Sequence, residues 1–162
     1  MRLLIRQKVF SWRDRFYILD EQGQNRYYAE SEVFTWGKKL HVFDLDGREV
    51  GYIEQKLFTW MPQYQICRNG SHVATICKEF TFFRPRYRVE GADWRVEGSF
   101  WAHEYAMLAG NRTVATVAKE WFTWGDCYTL DVEDGWDEVL ALCVVLTIDC
   151  VAAQQAAAAS ST

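Results

Sequence analysis

Four side chains suit proton-transfer chemistry by type: His41, His72, His103 and Asp149. An imidazole titrates near neutral pH and ligates metals. A carboxylate set in an apolar run can be tuned into a general acid or base. The spacing does not assemble them. The three histidines fall in different parts of the chain, at no interval that would place two ligands together, so no metal site is expected. There is no P-loop, HExxH or GxSxG pattern. Cys67, Cys77, Cys127, Cys143 and Cys150 form no CxxC pair and read as buried thiols in a reducing compartment; Cys127, in a turn-like triplet, is expected to be exposed. The expectation is a non-enzyme with no catalytic residue, metal or cofactor.

A second set of residues suits binding. Arg13 and Arg15, Lys38 and Lys39, and Arg84 and Arg86 form three basic pairs. They follow Trp12, Trp36 and Phe83. Cations beside aromatic rings are what an anionic bilayer surface attracts, by charge and by interfacial anchoring. Solvated turn residues are the plainer alternative. Deciding between them requires the elements that carry the pairs.

Those elements are repeats. "VFTWGKK" at 33–39, "LFTWMPQ" at 57–63 and "WFTWGDC" at 121–127 repeat one phrase. Aromatic anchors stand at Trp12, Trp36, Trp60, Phe83, Trp101 and Trp124, and four residues on stand Phe16, Leu40, Tyr64, Tyr87, Tyr105 and Tyr128. Alternation follows each second anchor, as in Tyr64-Gln65-Ile66, and means a strand with one buried face. Eleven residues before each second anchor stand Ile5, Ala29, Ile53, Ile76, Trp94 and Val117. The triplets between anchors, such as GKK and RPR, are turn-like. Each unit therefore reads as a β-hairpin, six in all, giving roughly twelve antiparallel strands over residues 1–135. The parity slips before the Trp, which predicts a bulge there. Half-buried strands select Phe, Thr and Trp on propensity, which gives the FTW phrase a structural meaning; a repeated binding box is the alternative.

The last segment, "DEVLALCVVLTIDCV", is apolar on all sides from Val139, with Asp137 as N-cap. Its uninterrupted apolar run ends at Asp149, short of the ~20 residues of a spanning helix. Burial is favoured over membrane crossing. A twelve-stranded barrel has a radius of about 12 Å, wide enough to enclose a helix. The expected fold is a closed twelve-stranded antiparallel barrel of six hairpins around a central helix, 137–154, with Leu140, Val144, Leu146, Ile148 and Asp149 among its core positions. A single domain, 1–154, and a disordered Ala/Ser tail, 155–162, are expected. In that topology Asp149 pairs with a rim arginine or caps the buried helix rather than acting as acid or base.

Six hairpins followed by this helix resemble the LURP-one-related family of the tubby C-terminal-like superfamily, which also holds tubby proteins and phospholipid scramblases. The resemblance runs from Met1 to about Val151. It implies the same barrel around a helix. Tubby proteins bind phosphoinositides and scramblases act on lipids, but neither a tubby phosphoinositide motif nor a scramblase calcium segment is present to carry over.

In such a barrel all six triplets share one rim, so Arg13, Arg15, Lys38, Lys39, Arg84 and Arg86 would form a basic end. The opposite end collects acidic residues, among them Asp44, Asp46, Asp131, Asp137 and Glu138. The helix would start at the acidic end and finish at the basic one, matching both ends of its dipole. The net charge of −4 argues against nucleic acid as partner. "MRLLIRQKVF" is too short an apolar start for a signal peptide. The expectation is a cytoplasmic monomer, peripheral at membranes, whose partner is an anionic phospholipid or phosphoinositide surface. A protein-interaction barrel without lipid affinity, partnering an unidentified protein, is the alternative, and a small-ligand binder the third.

Overall fold

Alternating apolar residues need a partner strand on either side, and the chain supplies one for every strand by closing on itself. The computed structural model describes residues 1–6, 15–120 and 127–161. Its strands are β1 (Arg2–Arg6), β2 (Phe16–Leu19), β3 (Asn25–Ser31), β4 (Lys39–Asp44), β5 (Glu49–Gln55) and β6 (Gln63–Arg68). They continue as β7 (Ser71–Phe80), β8 (Pro85–Glu90), β9 (Trp94–Ser99), β10 (Glu104–Ala109), β11 (Arg112–Glu120) and β12 (Cys127–Val132). Each pairs antiparallel with its neighbour in sequence, and β1 with β12, so the barrel has no free edge. The helix α1 (Glu138–Ser160) follows.

The repeat is visible in the register. Phe16 stands opposite Ala29, Leu40 opposite Ile53, Tyr64 opposite Ile76 and Tyr105 opposite Val117. Tyr128 faces Ile5 and closes the ring. Each second anchor thus pairs with the apolar residue of the next unit. In the short fifth unit Tyr87 faces Val96 instead. All six second anchors are buried. The bulges, however, do not precede the Trp. Register shifts fall two residues after the anchor, at Ile18/Leu19, Val42/Phe43, Ile66/Cys67 and Met107/Leu108. There the second strand bends into the short turns of the opposite rim.

The helix fills the barrel. Every residue from Val139 to Val151 is buried, including Leu140, Val144, Leu146, Ile148 and Asp149. By length and composition alone α1 could cross a membrane, yet its apolar face is already covered by the sheet. Asp137 caps it, accepting from the Leu140 amide at 3.0 Å, and pairs with Arg68. Tyr27 Oη and Arg26 Nε donate to Glu138 at 2.7 and 2.9 Å. Burial, reinforced by the Glu138 bond, pushes the Tyr27 hydroxyl up to about 12. The helix approaches β5 most closely at Gly51, where a Cβ would sit 2.7 Å from Cys143 Sγ. Only glycine leaves that space.

Two expectations about α1 need correction. The helix runs on to Ser160, through the segment expected to be a disordered tail, because alanine is the strongest helix former. Its last turn carries no basic residue, so the dipole is matched at the N-terminal end only. The five cysteines are free; four are buried, Cys127 among them, and Cys67 is half-buried. Cys127 is therefore not an exposed turn residue: it opens β12, paired with Arg6 and Glu120.

Candidate functional site

The strand ends dictate two unlike rims. At one, short connections at 45–48, 69–70, 91–93 and 110–111 turn tightly. Asp44 Oδ1 accepts from the Asp46 and Arg48 amides, both at 3.0 Å, which lets Gly47 turn the chain at φ 80°. The acidic residues here are extensively paired: Asp44 and Asp46 with Arg48, Asp131 with Arg2, Glu138 with Arg26.

The other rim carries the aromatic phrases. The connections at 32–38 and 56–62 are long, and those at 81–84 and 100–103 shorter. The FTW phrases at 34–36 and 58–60 do not lie in half-buried strands. Trp36, Phe82, Phe83 and Trp101 are almost wholly exposed, as are Phe34 and Phe58 at 93% and 98%, and Trp60 has no neighbour covering it. The parity slip has its cause here: the described anchors Trp36, Trp60, Phe83 and Trp101 stand in loops, where strand alternation does not apply. Trp12 and Trp124 lie outside the described residues.

These loops are built, not merely left over. The Glu32 amide donates to the Lys39 carbonyl at 3.0 Å, and the Lys56 amide to that of Gln63 at 2.9 Å. Thr35 Oγ1 donates to the Gly37 carbonyl at 3.0 Å, and Thr81 Oγ1 to that of Arg84 at 2.5 Å. Adjacent loops are tied by the Lys38 amide, which donates to Gln55 Oε1 at 3.0 Å. Gln154 of α1 donates to the same oxygen at 2.9 Å and accepts from Tyr64 Oη at 3.1 Å. Phe34 and Phe58 hold φ of 61° and 60°. That left-handed conformation is costly for a bulky side chain. Strain at an exposed ring, with no burial to offset it, points to function outside the fold.

The basic residues distribute unevenly. Arg13 lies outside the described residues. Arg15, Lys39 and Arg86 stand on the outer wall in ion pairs, with Glu30 at 2.6 Å, Glu54 at 3.9 Å and Glu79 at 2.8 Å. Arg15 also lies over the Tyr28 ring, 4.3 Å from its centroid. Lys38 lies at the mouth, half-buried, and burial pushes its amine down to about 8. Arg84 is exposed at the mouth and makes no ion pair among the described residues. The glutamates beside the outer three cations offset much of their charge, so the rim is more aromatic than electropositive.

Among the described residues Asp149 pairs with no arginine, and the helix cap is Asp137. Asp149 accepts from Tyr128 Oη and lies 3.2 Å from His103 Nε2. His103, at φ 52°, stacks on Tyr128 with ring centroids 4.3 Å apart. Burial first, and the Asp149 charge second, push the Tyr128 and Tyr105 hydroxyls well up. The cluster ties the helix to β12 and the 100–103 loop. Sequence reasoning named His103 but kept it apart from Asp149, because 46 residues separate the two in the chain. Among the described residues no group of His, Cys, Asp and Glu could hold a metal.

The chain matches the profile of a family described as LURP-one-related over residues 1–149. It is 31% identical over 151 residues to YxjI of Bacillus subtilis (strain 168), an uncharacterized protein, covering 93% of each chain. Its fold is similar to a crystal structure of an Arabidopsis thaliana protein, with a TM-score of 0.66 at 18% identity, covering 93% of this chain and 90% of that one. That likeness concerns the barrel and its helix.

Proposed function

The chain belongs to the LURP-one-related family, and on that premise we propose that its tubby-like barrel is a non-catalytic module that rests its aromatic rim on an anionic phospholipid surface. One observation carries this reading. Phe34, Trp36, Phe58, Trp60, Phe82, Phe83 and Trp101 project from one end of the molecule, unburied. Water solvates such rings poorly, and a patch of them at one end marks an interaction site. Trp favours the bilayer interface, and Phe adds apolar area there. Arg84 and Lys38 at the mouth, with Arg15, Lys39 and Arg86 on the wall beside it, add attraction to anionic headgroups. The overall charge of −4 opposes that attraction, so orientation matters: the rim must lead, and the paired acidic end must face away.

Sedimentation with neutral and anionic phospholipid vesicles tests the reading. Binding is expected to anionic vesicles, with a salt-sensitive part from the cations and a salt-resistant part from the rings. No binding to either vesicle, with a partner protein recovered instead, would favour a protein-docking barrel.

A further inference from the structure

Strand parity places one lysine where the barrel wants an apolar side chain. On β7, Ala74 and Ile76 point inward and are buried. Lys78 has the same parity, and it stands opposite the buried Tyr87 in the register. Its side chain is half-buried at the barrel mouth and makes no hydrogen bond or ion pair among the described residues. Burial alone pushes its amine below the ordinary value; no carboxylate offsets it. Arg84 stands nearby in the next loop, likewise without an ion pair. Elsewhere on the molecule the common arrangement is the opposite, as Arg86 and Arg88 show by sharing Glu79.

Both cations line one cavity of about 390 Å3, between the 81–84 and 100–103 connections and α1. Among the described residues no carboxylate lines it. Its walls are the rings of Tyr87, Phe100 and Trp101 and the helix face of Ile148 and Ala152, with Ser99 and Gln155 as further polar groups. Phe100 is fixed edge-on against Tyr87, 4.8 Å between centroids, and packs on Tyr105 at 5.2 Å. Asp149 is turned away, engaged by His103 and Tyr128. Two cations without ion-pair partners among the described residues, beside an apolar wall, suit an anion that carries an apolar chain.

We propose that this cavity seats an anionic amphiphile, its phosphate or carboxylate head between Lys78 and Arg84 and its chain along Phe100, Trp101 and the helix. The ligand chemistry has two sources, a headgroup in a bilayer or a free single-chain amphiphile. The proposal deepens the membrane reading and places a specific site within the same rim, but a soluble ligand tests it separately.

The experiment is isothermal titration of the full chain with dodecyl phosphate below its micelle concentration. Inorganic phosphate and dodecyl maltoside serve as controls, and the variants are Lys78→Gln, Arg84→Gln and both together. Saturable binding of dodecyl phosphate is expected, with inorganic phosphate much weaker and dodecyl maltoside without saturable binding. The double variant should keep its melting temperature and lose about tenfold or more in affinity, as when a charge-assisted hydrogen bond is removed. Equal affinity for dodecyl maltoside, or unchanged affinity in the double variant, would overturn the proposal, as would no binding of dodecyl phosphate at all. Phosphatidic acid vesicles separate the sources: a parallel loss of vesicle binding in the double variant assigns the bilayer lipid, and a loss confined to dodecyl phosphate assigns the free amphiphile. Phe34→Asn with Phe58→Asn should weaken vesicle binding about thirtyfold while sparing dodecyl phosphate. The two ideas therefore fail independently.

Discussion

Replacing Phe34 and Phe58 together with asparagine separates folding from function. Both rings are more than nine-tenths exposed, so their removal deletes almost no buried contact. Both residues hold the left-handed conformation, which costs an L-residue roughly 1–2 kcal/mol, and asparagine tolerates it better. Stability should therefore stay level or rise by about 1 kcal/mol, a melting shift of roughly 2–4 °C for a chain of this size. On a bilayer each ring would lose part of its contact with water. Half of a full aromatic burial is about 1 kcal/mol, so the pair is worth roughly 2 kcal/mol, or about thirtyfold in partitioning. Thermal melting and vesicle flotation on the same samples read both quantities. A fall in melting temperature of several degrees would mean the rings belong to the fold. Unchanged flotation would mean they do not meet the membrane. Either result refutes the reasoning.

Other substitutions test the frame that holds the rim. Gly51→Ala places a Cβ 2.7 Å from Cys143 Sγ and should destabilise by about 1–3 kcal/mol in chemical denaturation; Cys143→Ala in the same chain should recover part of the loss. Leu146→Asp puts an unpaired charge at the fully buried centre of α1, and the protein should be recovered insoluble or without a cooperative melt. His41 lies on the outer wall, with Nδ1 2.6 Å from Glu49 and Nε2 2.7 Å from Glu32. Burial lowers its pKa, but the bonds to Glu49 and Glu32 outweigh that and raise it overall. Its stabilisation is then full below the unfolded value of about 6.5 and fades as pH rises through the higher folded value. His41→Gln should therefore cost more melting temperature at pH 6 than at pH 8, and an equal cost at both would contradict the ion pairs.

The barrel was legible because it is periodic. Phe16, Leu40, Tyr64, Tyr87, Tyr105 and Tyr128 repeat at a fixed place in each unit, and one inward position per unit suffices to set a register. The helix was legible because no water-facing helix is apolar on every side, as Val139 to Val151 is. The rim was not legible in the same way. Phe, Thr and Trp favour strands by propensity, and residue type alone does not distinguish an exposed loop aromatic from a half-buried strand one. The signal lay in Gly37 and Pro62 beside the phrase, and in the failed parity. The ion pairs were not legible for a related reason: the triplets show Arg15, Lys39 and Arg86, but their glutamate partners lie on neighbouring strands, out of reach of a local reading. Asp149 required the three-dimensional meeting of α1 with His103, far away in sequence.

Membrane docking through the aromatic rim is tested most directly by the fluorescence of its tryptophans against vesicles of anionic phospholipid carrying brominated acyl chains. Bromine quenches only indoles that reach the acyl boundary. The account predicts a blue shift and strong quenching on binding, both lost when Trp36, Trp60 and Trp101 are replaced by phenylalanine while the vesicles still bind. Binding without quenching in the unsubstituted protein, or quenching that survives the triple replacement undiminished, would contradict it.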